Sequence, residues 1–289
     1  MKKRIASLIL ALSVICMATL TTACQKNDDG TTTSNRPDSS VIENIPDEIT
    51  IKDRTYKTSS TELLLNNRSI TDEDIVDIKY MVNLTTLSFF GPKISDLSPM
   101  AGLKNLTGLA INDALVNDLT PLSGLINLTG LNLHNNKISD VSPLSNLINL
   151  TYINLEINDI NDLTPLSGLT KLTSASLSYN KASDLSPLSG LTSLYQLELQ
   201  SNQISDLSPL SGLTDLKFLK LDNNQINDLS PLSGLVNLHD LDLLDNQIND
   251  LTPLYNLSKL RNLCLIENDL TQQQIDDLKK RLPDCSILF

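Results

Sequence analysis

The chain has 289 residues, a formal net charge of −12, two histidines and no tryptophan. It is long enough for two ordinary domains and too acidic to favour nucleic acid or other polyanionic partners. No Cys/His cluster, glycine-rich phosphate loop or EF-hand pattern occurs, so the sequence points to no cofactor, no metal and no enzyme chemistry.

Residues 1–23 read as a signal peptide. Lys2, Lys3 and Arg4 form a basic start, and Ile5 to Leu20 is an apolar stretch short for a membrane span. Thr21-Thr22-Ala23-Cys24 resembles a bacterial lipobox, with Thr21 where a large aliphatic usually stands. The resemblance implies lipid attachment at Cys24, export, and anchoring on the outer face of a bacterial cell membrane. Residues 24–40 contain no large apolar side chain, cannot build a core, and read as a disordered tether.

Residues 41–83 read as an N-terminal cap. Ile49-Thr50-Ile51 and Thr55-Tyr56-Lys57 suit two short strands around Asp53, and Leu63-Leu64-Leu65 imitates a strand of the repeats that follow. Thr71 with Asp74 predicts a capped helix through about Tyr80 that buries Ile75, Ile78 and Val82 and covers the open end of the stack.

From residue 84 to 270 one unit repeats. Leucine returns every 22 residues at Leu84, Leu106, Leu128, Leu150, Leu172, Leu194, Leu216, Leu238 and Leu260, and again at Leu282. A fixed period of this length means stacked supersecondary units. In the cycle from Leu194, the apolar slots are Leu194, Leu197, Leu199, Ile204, Leu207, Leu210 and Leu213. Leu197 and Leu199 alternate with polar neighbours, as in a half-buried strand. Asn202, like Asn136, Asn158, Asn180, Asn224, Asn246 and Asn268, is placed to satisfy backbone groups where the chain turns away. Pro209, like Pro99, Pro121, Pro143, Pro165, Pro187, Pro231 and Pro253, suits a turn or short 3₁₀ return and argues against a long helix.

The pattern L-x-x-L-x-L-x-x-N-x-I-x-D-L-x-P-L-x-x-L resembles the leucine-rich repeat, and its Ser-Pro-Leu-Ser-Gly return resembles the bacterial, internalin-like class. That resemblance implies an α/β repeat solenoid, curved, with parallel strands on the concave side, a short 3₁₀ or turn convex side, and helical caps at both ends. It does not name a partner, because one fold hosts many functions.

Residues 271–289 read as a C-terminal cap. Thr271 and Gln274 open a helix with Ile275 and Leu278 inward, Pro283 stops it, and Cys285-Ser286-Ile287 falls in the phase of a further strand. That phase puts Cys285 in the inward slot of Leu263 and Cys264 in an outward slot, on opposite faces and unsuited to a disulfide.

The outward strand positions vary most, and they are the candidate partner-binding residues: Tyr152, Glu156, Ile157, Tyr179, Tyr195, Glu198, Phe218, Lys220, Asp222 and Asp242. Four of the ten aromatics lie among them. Ile157 and Tyr179 share a slot in adjacent cycles, and Glu198, Lys220 and Asp242 share another, which reads as a neutralising ladder. His134 and His239 lie five cycles apart, too far to share a metal. Asp222-Asn223-Asn224 and Asp245-Asn246 lack the glycine and closing glutamate of a calcium loop. The expected function is a lipid-anchored surface protein that binds a protein ligand on its concave face, acting without an oligomeric partner. The alternative is a structural or glycan-binding envelope component.

Overall fold

The computed structural model describes residues 45–289. The signal peptide, Cys24, the tether and the first residues of the N-terminal cap lie outside them. Two strands, β1 (Glu48–Ile51) and β2 (Arg54–Lys57), pair as an antiparallel hairpin. Eleven more form one parallel sheet in chain order, from β3 (Glu62–Leu65) to β13 (Ser286–Leu288). Between them lie β4 (Thr86–Phe90), β5 (Gly108–Asn112), β6 (Gly130–Asn132), β7 (Tyr152–Asn154), β8 (Ser174–Ser176), β9 (Gln196–Glu198), β10 (Phe218–Lys220), β11 (Asp240–Asp242) and β12 (Asn262–Cys264).

Each coil closes for local reasons. Leu219 of β10 pairs with Leu197 and Leu241 on either side, so equivalent leucines stack in register. The alternation puts these leucines in the core and leaves their neighbours outward, as at Gln196-Leu197-Glu198. Return segments are three-residue 3₁₀ turns such as Ser208–Leu210, with proline second. The aspartate two residues before each serine or threonine caps it: Asp206 Oδ1 accepts from Ser208 N at 2.8 Å.

The recurrent asparagine slot works as the side chain's chemistry suggests. Asn202 Nδ2 donates to Leu177 O and Leu199 O at 3.0 and 3.1 Å, and its Oδ1 accepts from Ala182 N at 3.0 Å. One amide therefore satisfies backbone groups of two coils that neither strand ladder reaches.

The ends depart from the regular coil. Residues Asp72–Tyr80 form a 3₁₀ helix rather than an α-helix, with Thr71 N and Oγ1 both donating to Asp74 Oδ2 at 2.8 Å. It is the return segment between β3 and β4, and it packs on the next 3₁₀ turn. It therefore forms part of a coil instead of covering the open end. Hairpin β1–β2 packs against it through the buried Ile49 and Ile51. Ile75 and Ile78 are buried as expected, but Met81 takes the inward place expected for Val82, because the tighter 3₁₀ winding shifts the phase.

At the other end, helix α1 (Gln272–Arg281) is capped by Thr271 and Gln274 and buries Ile275 and Leu278. The strand after it sits two residues later than the repeat period predicts: Ile287, not Cys285, pairs with Leu263. A full α-helix consumes more residues than a three-residue turn, and the strand slips accordingly. Cys264 and Cys285 are free thiols. Cys285 packs at the edge of the core, where burial pushes its thiol up to about 11.

Candidate functional site

Numbering each coil from its leading leucine, positions 3, 5 and 7 point outward from the strands. Tyr152 and Phe218 occupy position 3 on β7 and β10. Glu198, Lys220 and Asp242 occupy position 5 on β9, β10 and β11, in direct register. Glu156 and Asp222 occupy position 7. The structure therefore gathers these candidates on one face. Ile157 and Tyr179 lie one residue further on, in the turn that leaves the strand, and Tyr195 lies on the flank just before β9.

The turn at position 8 has a left-handed backbone in every coil. Gly91 (φ 68°), Asp113, Asn135, Ser201, Asn223, Asp245 and Glu267 share it with Ile157 (φ 55°) and Tyr179 (φ 54°). Glycine, asparagine and aspartate adopt this region at low cost, whereas a β-branched or bulky side chain clashes with its own backbone. Ile157 is 39% and Tyr179 50% exposed.

The charge ladder is real and asymmetric. Lys220 Nζ lies 2.8 Å from Glu198. Burial opposes the lysine charge, but Glu198, Asp222 and Asp242 together hold its pKa above the ordinary value. Asp222 fares differently. Burial, and then the charge of Asp242, push its carboxyl from 3.8 up to about 6. Asn223 donates to one oxygen at 2.9 Å, and the other is buried with no hydrogen-bond partner among the described residues.

The sign of the pH effect follows. A carboxyl that holds its proton more tightly in the folded chain costs nothing below 3.8, costs progressively more stability as pH rises from there, and costs its full amount above about 6. Asp222→Asn is therefore expected to raise the melting temperature near pH 7.5 and to leave it unchanged near pH 3.5. An equal gain at both pH values would refute this origin.

Sequences and structures of other proteins agree on this architecture. The family described as Leucine Rich repeats (2 copies) matches residues 126–169, 192–234 and 214–256. An internalin (InlF) of Listeria monocytogenes is 30% identical, with a TM-score of 0.58 over 82% of this chain and 83% of that one. Internalin C2 of the same organism is 32% identical, with a TM-score of 0.55 over 75% of this chain and 85% of that one. The chain belongs to the internalin-type leucine-rich repeat family. The same solenoid fold recurs in a plant peptide hormone receptor, RGFR1, in complex with RGF2, at 22% identity and a TM-score of 0.63, over 78% of this chain and 38% of that one. No curated protein matches the chain significantly.

On this internalin-type concave face, two features escape a reading of outward residues alone. Ser174, Ser176 and Ser178 are buried although they point outward, because larger side chains of adjacent coils rise around them. They make a trough at β8. The second feature is the flank before the strands, at position 2. Threonine fills it at Thr85, Thr107, Thr129, Thr151 and Thr173, and then Tyr195, Lys217, His239 and Arg261 follow. That switch is visible in the sequence once the coils are aligned.

Proposed function

We propose that this protein is exported, held at the outer face of a bacterial membrane by lipid on Cys24, and binds another protein through its concave face. Lys2, Lys3, Arg4, the apolar stretch after them and Cys24 support the anchor, and residues 24–40 supply the tether. The solenoid acts as a binding scaffold rather than an enzyme. The plant receptor with its bound partner is a precedent for recognition on this fold.

One observation carries the reading. Ile157 and Tyr179 are large, exposed and held in a left-handed backbone. Each costs about 1–2 kcal/mol that glycine or asparagine would avoid, and neither belongs to the buried core. Side chains retained against both terms are explained by what they touch outside the molecule.

The test uses cells that make the full chain with a photo-cross-linking side chain at Tyr152, followed by purification of the captured protein. Ile157→Gly with Tyr179→Gly is expected to leave the urea midpoint unchanged or raised, and to weaken binding of that protein at least about tenfold. Labelled palmitate is expected to be lost in Cys24→Ala. A folded double variant that binds its protein as before, yet loses wall glycan, would replace this reading with the envelope-component alternative.

A further inference from the structure

We propose that the flank of the coils from Tyr195 to Arg261 docks a short, acidic, extended segment of the partner protein. This rests on the reading of the concave face as protein-binding and names the chemistry of one part of the partner.

The first observation is the switch at position 2. In the earlier coils, the threonine hydroxyls donate to the carbonyl one coil back: Thr107 to Thr85, Thr129 to Thr107, Thr151 to Thr129 and Thr173 to Thr151, at 3.0–3.1 Å. The backbone ladder beneath them continues unchanged. Tyr195 N, Lys217 N, His239 N and Arg261 N donate to Thr173 O, Tyr195 O, Lys217 O and His239 O at 2.9, 2.8, 2.8 and 2.7 Å. The coil thus makes the same main-chain bonds with either set of side chains. The fold does not call for the long ones.

The second observation is what those side chains build. The ring of Phe218 meets Tyr195 edge-on at 6.3 Å and His239 at 6.4 Å. Three rings from three successive coils form a ridge, and Tyr195 and Phe218 each remain 37% exposed. Beside the ridge runs an open groove of about 560 Å³ lined by Tyr195, Lys217, His239, Asn237, Asp215 and Lys259, with Ser193 at one end.

The third is charge. Lys217, Lys259 and Arg261 make no ion pair among the described residues, in a chain of net charge −12. Neutral groups hold two of them: Lys259 Nζ donates to Asn237 Oδ1 at 2.6 Å, and Arg261 donates to Ser258 O and Leu260 O. The carboxylates of Asp215 and Asp240 lie along the same strip and offset part of this charge. What remains is a local excess of cations beside an apolar ridge.

A ligand that fits must be anionic over a short length and apolar nearby. Three coil steps span roughly 15 Å, which matches about four residues of extended chain. A polyanion broad enough to cross the coils from this flank would meet Asp242, Asp222 and Asp245, at positions 5, 7 and 8, and be repelled. An acidic segment with one aromatic or aliphatic residue meets both the cations and the rings.

The test is fluorescence anisotropy of a labelled octapeptide, glutamate-rich with one central phenylalanine, against the purified full chain at low salt. Binding is expected to weaken about tenfold or more when glutamine replaces glutamate, and again in Lys217→Glu/Lys259→Glu/Arg261→Glu. The proposal is overturned by no binding, by equal binding of both peptides, by a folded charge-reversed chain that binds undiminished, or by polyphosphate displacing the peptide more effectively than unlabelled peptide. If the peptide fails while Ile157→Gly/Tyr179→Gly still weakens the captured protein, the face remains the binding surface and only this assignment falls.

Discussion

Asn136→Leu is expected to destabilise the solenoid by about 2–6 kcal/mol, measured by urea unfolding. Asn136 is 2% exposed. Its Nδ2 donates to Ile111 O at 2.8 Å and Leu133 O at 3.0 Å, and its Oδ1 accepts from Val116 N at 3.1 Å. Leucine matches the branched shape and the number of heavy atoms but satisfies none of these groups. It leaves the buried Val116 N and Ile111 O short of a partner, each costing on the order of 1–3 kcal/mol, whereas Leu133 O still accepts from Asn158 Nδ2 at 3.0 Å. A comparison isolates the cause. Asn127 also makes one amide bond, to Lys104 O at 2.9 Å, but at an exposed site. Asn127→Ala is expected to cost well under about 1 kcal/mol, because water replaces the lost bond. Equal losses in the two variants would show that burial of the amide is not what matters.

The second large effect is expected at Leu219→Ala, at about 3–4 kcal/mol. Leu219 is fully buried in β10, between Leu197 and Leu241 of the neighbouring coils. Truncating it opens a cavity that three coils border, and the regular backbone has little freedom to collapse into it. Ile287 occupies the equivalent place in β13 but is only half-buried and has a neighbouring strand on one side. Ile287→Ala is expected to cost less than about 1.5 kcal/mol. In a solenoid, each residue's worth depends on how many coils flank it, so a reversal of this order in urea unfolding would contradict the stacked core.

Most of the architecture was legible because periodicity reports phase directly. Leu197, Leu219 and Leu241 had to face the same way, and Asn202 and its equivalents had to turn inward, once the period was known. Hairpin β1–β2 was legible from two β-rich triplets around Asp53. The ends were not. Phase within a repeat does not say how many residues a non-repeating return segment uses, so Ile287 displaced Cys285 and Met81 displaced Val82. The strand face was legible as a set of outward positions, but not its relief. Ser174 and Ser178 became a trough only through the size of their neighbours. The left-handed turn was written in Gly91, Asp113, Asn135, Asn223 and Asp245, and Ile157 and Tyr179 stand out only against that series.

Equal coil length has a consequence for how such a protein changes over generations. Hydrogen bonds such as Thr129 to Thr107 join residues 22 apart, so a duplicated or lost stretch of one period rejoins leucine to leucine and proline to proline. Recombination between the near-identical coils of one gene therefore resizes the recognition area a row at a time, with no scrambled intermediate to purge. A lineage meeting a larger or smaller target has a ready way to adjust its reach before any single side chain is altered.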